Sequence, residues 1–88
     1  MDPSHTQEID GHPVTEYFKR NVLDKRSYLR FEWCLFAVNH PVSSEIQPED
    51  GRMRYWAWVP EINRYLRVVT LEDGITIHNA FPDRRFNK

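Results

Sequence analysis

The chain has 88 residues, of which 40% are hydrophobic, 14% aromatic and 28% charged, and the charges cancel to a net −1. That length fits one domain, the charge balance excludes a disordered polyelectrolyte, and no apolar run approaches the ~20 residues of a membrane-spanning helix. A single cysteine, Cys34, excludes an internal disulfide or a cysteine-rich zinc site, and the polar start Met1-Asp2-Pro3-Ser4-His5 lacks a signal-peptide pattern, so the expected setting is a reducing cytoplasm.

Residues 1–12 are polar and contain Pro3 and Gly11. They read as a flexible arm ahead of a single domain over 13–86. Val14, Tyr17, Phe18 and Val22 then recur at helical spacing, which predicts a short helix over about 14–23. Ser27 suits the N-cap of a second helix. Phe31, Cys34, Leu35 and Val38 give that helix one apolar face, and Asn39-His40-Pro41 ends it. A connector follows, with a short strand around Val42–Ile46 and a turn at Asp50-Gly51.

The rest reads as β structure. Residues 52–59, Arg-Met-Arg-Tyr-Trp-Ala-Trp-Val, are rich in strand formers. Pro60-Glu61-Ile62-Asn63 makes a turn, residues 64–71 a second strand and residues 75–81 a third. Asp73-Gly74 is the hairpin signal between the last two, and Pro82-Asp83 breaks the third. The expected fold is therefore α+β: two N-terminal helices packed on a three- to four-stranded antiparallel sheet.

Register then sorts the side chains. A four-residue loop at 60–63 pairs Val59 with Arg64, Trp56 with Arg67 and Arg54 with Val69. A two-residue turn at Asp73-Gly74 pairs Glu72 with Ile75, Thr70 with Ile77 and Val69 with His78. One face gathers Ala57, Val59, Leu66, Val68, Ile77 and Phe81 for the helices to cover. The other gathers Arg52, Arg54, Trp56, Trp58, Tyr65, Arg67 and His78. A bulge in the third strand would change this sorting.

The charge is unevenly spread. Residues 1–50 carry five cations against nine acids, and residues 51–88 carry seven cations, six of them arginines, against four acids. Guanidinium forks suit phosphates, aromatic rings stack bases, and an imidazole moves protons near neutral pH. Cleavage of RNA by its own 2′-hydroxyl needs a base, an acid and cations over the transition state, and no metal. On that chemistry His78, Arg54 and Arg67 are the candidate catalytic residues. Arg52, Trp56, Trp58 and Arg84 are the candidate RNA contacts. No HExxH or CxxC spacing and no phosphate-cradling glycine loop occur, so neither metal nor cofactor is expected. Each residue also has a plain structural alternative: His78 in a strand, Trp56 and Trp58 as packing groups, Cys34 as a buried small hydrophobe.

Three segments carry a family resemblance: Asp50-Gly51-Arg52-Met53-Arg54-Tyr55-Trp56, Arg64 to Gly74, and His78-Asn79-Ala80-Phe81-Pro82-Asp83-Arg84-Arg85-Phe86. Together with the helix ending in Asn39-His40-Pro41, they resemble a family of small bacterial proteins that looks like the RelE, HigB and BrnT toxins. The resemblance spans about residues 14–86. It implies the RelE-like α+β fold and a metal-free, toxin-type endoribonuclease acting on messenger RNA or at the ribosome, held silent by an antitoxin protein. Two other readings stand beside it. One is a non-catalytic protein- or RNA-binding module using the Arg54/Trp56/Trp58 face, and the other a subunit stable only when paired.

Overall fold

The computed structural model describes residues 6–86. Two strands open the chain, β1 (Thr6–Ile9) and β2 (His12–Thr15), followed by a π-helical turn at Phe18–Leu23. The helix α1 (Phe31–Asn39) and the short strand β3 (Ser43–Ile46) come next. Strand β4 (Met53–Val59), a 3-10 turn at Pro60–Ile62, β5 (Arg64–Thr70) and β6 (Ile77–Pro82) complete the chain. All six strands form one sheet in the order β1-β2-β6-β5-β4-β3.

This architecture corrects the expected one. The sheet has six strands rather than three or four, and it is mixed: β2 meets β6 in parallel through Val14 and Ile77. Among the described residues only one α-helix forms, of nine residues, and the first expected helix is split between β2 and the π-helical turn. The physical reason lies at Asp10-Gly11. Both residues have positive φ, 51° and 81°, as the two central residues of a type I′ hairpin turn require. The turn folds residues 6–9 back on 12–15, with Ile9 opposite His12. Residues 6–12 of the expected arm are thus β1, its turn and the first residue of β2, and residues 1–5 lie outside the described residues.

The π-helical turn holds because its apolar side chains are needed inside. Thr15 Oγ1 accepts the backbone N–H of Phe18 at 3.1 Å, and Phe18 and Val22 are fully buried. Asp24 N–H donates to the Lys19 carbonyl five residues back. In α1, Cys34 and Ala37 are fully buried against the sheet, and Phe31, Trp33, Leu35 and Val38 pack around them. Burial pushes the Cys34 thiol up to about 12, so it stays a neutral, unreactive core group. Ser27 does not cap α1. Arg30 occupies the cap position without a side-chain bond, and buried Leu29 anchors the preceding turn.

Strands β4 and β5 pair in the expected register, from Val59 opposite Arg64 to Arg54 opposite Val69. Ala57, Val59, Leu66 and Val68 enter the core with Val14, Phe18 and α1. Each large side chain there contributes roughly 1.5–3 kcal/mol of hydrophobic burial. The β5–β6 pairing starts as expected, with Thr70 opposite Ile77, and then shifts, because Val69 faces Asn79 rather than His78. His78 is the extra residue of a β-bulge. Beyond it every β6 side chain changes face: Ala80 enters the core opposite Val68, and Phe81 comes to lie opposite Arg67. The Asp73-Gly74 segment is a longer loop, in which Asp73 accepts the N–H groups of Ile75 and Thr76.

None of the described helices is long and apolar enough to cross a membrane.

Candidate functional site

The polar face of the sheet contains the nominated residues, but they fall into separate clusters. Trp56 and Arg67 sit opposite one another, as the register requires. Their common partner is Asp83, just past β6. Asp83 Oδ2 accepts Trp56 Nε1–H at 3.0 Å and Arg67 Nε–H at 3.2 Å, and forms an ion pair with Arg67 Nη2 at 3.2 Å. Its other oxygen accepts the Arg85 backbone N–H at 3.0 Å. The Arg67 guanidinium also lies 5.5 Å from the Trp56 ring and 5.0 Å from that of Phe81. Phe86 stacks on Trp56 at 4.8 Å and meets Tyr65 edge-on. The chain's own C-terminal segment therefore covers this pair. Burial raises the Asp83 carboxyl, but the Trp56 and Arg85 N–H groups and the Arg67 charge outweigh it and hold it below the usual carboxylate range.

His78 belongs to a different set. Its Nδ1 lies 2.9 Å from Thr15 Oγ1, and the Tyr17 ring stacks on it at 4.9 Å. Thr15 is fully buried, and its oxygen already accepts the Phe18 N–H. Thr15 Oγ1 keeps a second lone pair as well as its proton, so the Thr15 hydroxyl donates this bond when the imidazole proton sits on Nε2, and Nδ1–H donates it when the proton sits on Nδ1. Burial, then the charge of Arg52, lowers the His78 pKa from its ordinary 6.5, against the opposing pull of Asp50. The Thr15–His78 bond ties β6 to β2.

Arg54, on the same face as Trp56, points away from that pair toward β3 and the β3–β4 loop. It forms ion pairs with Glu45 at 2.6 Å and Glu49 at 3.3 Å, and its Nε–H donates to Gln47 at 2.9 Å. Arg52 leans on Asp50 at 3.8 Å. Arg84 is exposed beyond Asp83. The structure thus unites Trp56 with Arg67 and gives Arg54 and His78 partners of their own.

Trp58, the remaining nominee, stands near the end of β4. It lines a cleft of about 560 Å³ with Trp33, Phe36, Val59, Pro60 and Glu61. Phe36 and Trp58, both on the wall of this cleft, are 52% and 42% exposed. Its charged members are Arg30, Glu32 and Glu61. Arg30 is already within 3.9 Å of Glu32.

Sequence reasoning nominated Trp58 but missed Trp33, Phe36 and Glu61. The signal was present in α1. Trp33 and Phe36 stand three residues apart, off the Cys34/Val38 face, and form a second apolar ridge on one helix. Asp83 was read only as a strand breaker. Among the described residues no cluster of three metal-ligating side chains forms.

Comparison with protein-family models, with curated proteins and with solved structures yields no match in any of the three.

Proposed function

We propose that this chain is a non-catalytic module that binds another protein, and that its contact surface is the cleft between α1 and the end of β4. The observation that carries this reading is the pair of exposed rings, Phe36 and Trp58, on one apolar cleft with Trp33 and Pro60. Interfaces are built around such aromatic anchors.

An endoribonuclease would need a base, an acid and cations over one phosphate. The binding reading is favoured because His78 bonds to Thr15, Arg54 to Glu45 and Glu49, and Arg67 to Asp83. Protein is favoured over RNA as the ligand because carboxylates outnumber cations at the cleft, Glu32 and Glu61 against Arg30, and repel phosphate.

Site-specific photo-crosslinking tests the reading. A photoreactive phenylalanine analogue is placed at Phe36, at Trp58 or, as a control, at exposed Glu72, in cells that naturally make the protein. The same discrete protein adduct is expected from the first two positions and not from the third. Adducts to RNA, or no adduct at either cleft position, would overturn it.

A further inference from the structure

The cleft lies beside a stretch of β4 that, among the described residues, has no paired strand on one side. Strand β3 reaches only as far as Ser43 opposite Trp56, and the last contact along that edge is Val42 N–H to the Trp56 carbonyl at 2.8 Å. Backbone groups of residues i and i+2 in a strand point the same way. The N–H and C=O of Trp58 therefore point to the same side as those of Trp56, past the end of β3. Pro41 precedes Val42, and the chain leaves the edge there toward α1. An exposed donor and acceptor on a strand edge form a template for a further strand.

The charges around this edge have one sign in excess. The cleft carries two carboxylates, Glu32 and Glu61, against the single cation Arg30, which is paired with Glu32. Glu61 has no ion pair among the described residues. An occupant of this cleft must be extended enough to use the β4 edge, apolar enough for the aromatic wall, and basic.

Resting on the binding reading above, we propose that the partner contributes an extended, basic segment that adds as a strand to β4 at Trp58. It places an apolar side chain between Trp33, Phe36 and Trp58 and a lysine or arginine against Glu61. The main-chain bonds supply affinity, and Glu61 and the rings supply choice of sequence.

A random 12-residue peptide library displayed on phage and selected on the full chain supplies the probe. Recovered sequences are synthesised and measured by calorimetry against wild type, Phe36→Ser, Trp58→Ala and Glu61→Lys. The folding of each variant is checked by circular dichroism. The recovered peptides should share a basic residue at strand spacing from an apolar one. N-methylation of one peptide amide and Glu61→Lys should each weaken binding about tenfold or more, the effect of one lost charged or desolvated hydrogen bond. Exchange of the peptide's basic residue for glutamate should restore binding to Glu61→Lys. Peptides that need Phe36 and Trp58 but tolerate N-methylation at every position and Glu61→Lys would overturn the strand-addition proposal and leave the binding module standing. Failure to recover any peptide dependent on Phe36 or Trp58 would overturn both.

Discussion

Replacing Asp83 with alanine is expected to lower folding stability by about 3 kcal/mol, the range in which one partner of a buried ion pair is lost. The carboxylate is 8% exposed and the Arg67 side chain 26%. Removing the first leaves a guanidinium held between the Trp56 and Phe81 rings with no counter-ion. It also leaves the indole N–H of Trp56, a 5% exposed residue, without its acceptor. Partial exposure of Arg67 keeps the loss at the lower end of the range. For a domain of this size it corresponds to a fall in melting temperature of roughly 12 °C or more. Urea titration with tryptophan fluorescence measures it, because Trp56 reports directly on its stacking with Phe86. The double variant Asp83→Ala/Arg67→Ala should reveal a coupling above about 1 kcal/mol. A loss under about 1 kcal/mol for Asp83→Ala would mean that the cluster is ordinary surface.

The second large effect lies in the core. Phe18→Ala should cost about 3–5 kcal/mol, because it removes a fully buried ring that its surroundings can only partly refill. Phe18 is where the π-helical turn enters the core, tilted against Phe31 at 6.2 Å. A turn of six residues has little stability of its own and depends on such packing. Since a small domain holds only about 5–15 kcal/mol in total, a substantial unfolded fraction is expected at 37 °C. Tyr28→Ala, at a residue 47% exposed, should change stability by about 0.5 kcal/mol or less. Thermal denaturation of the two variants side by side provides the comparison. A Phe18→Ala protein as stable as Tyr28→Ala would place the π-helical turn outside the core.

Strands β4 and β5 were legible in the sequence because alternation and turn chemistry agree there. Val59-Pro60 to Asn63-Arg64 fixes the loop length, and every pair down to Met53 and Thr70 follows. The β6 strand was legible only at its start, since a bulge is a backbone event and His78 looks the same in sequence whether paired or extruded. The hairpin at Asp10-Gly11 was legible in principle. It carries the same dipeptide as Asp73-Gly74, but its polar flanks resemble an arm, and Ile9 and Val14 are too few to display a strand period. The spacing of Val14, Phe18 and Val22 correctly marked three buried residues while assigning the first to the wrong element.

At the candidate site the pairing of Trp56 with Arg67 followed from register. The carboxylate that joins them did not, because Asp83 reaches back from a segment whose path no local pattern fixes. Trp58 was placed on the same face as Trp56, yet it serves the α1 cleft: β3 ends early and leaves that part of β4 as an edge.

The assignment of the polar-face residues to structure rather than chemistry rests most on His78. With its pKa below that of an unfolded histidine, the unfolded chain takes up a proton that the native chain refuses. Its contribution to stability is thus full above pH 6.5 and is lost as the pH falls toward the folded-state pKa. The direct measurement is a pH titration of the ring nitrogens by 15N-histidine NMR on the folded wild type, with His78→Gln to assign the signal. The account predicts a neutral ring that persists below pH 6.5 and stays bonded through Nδ1 to Thr15. A His78 ring that titrates at or above 6.5 would contradict it and return His78 to the candidates for proton transfer.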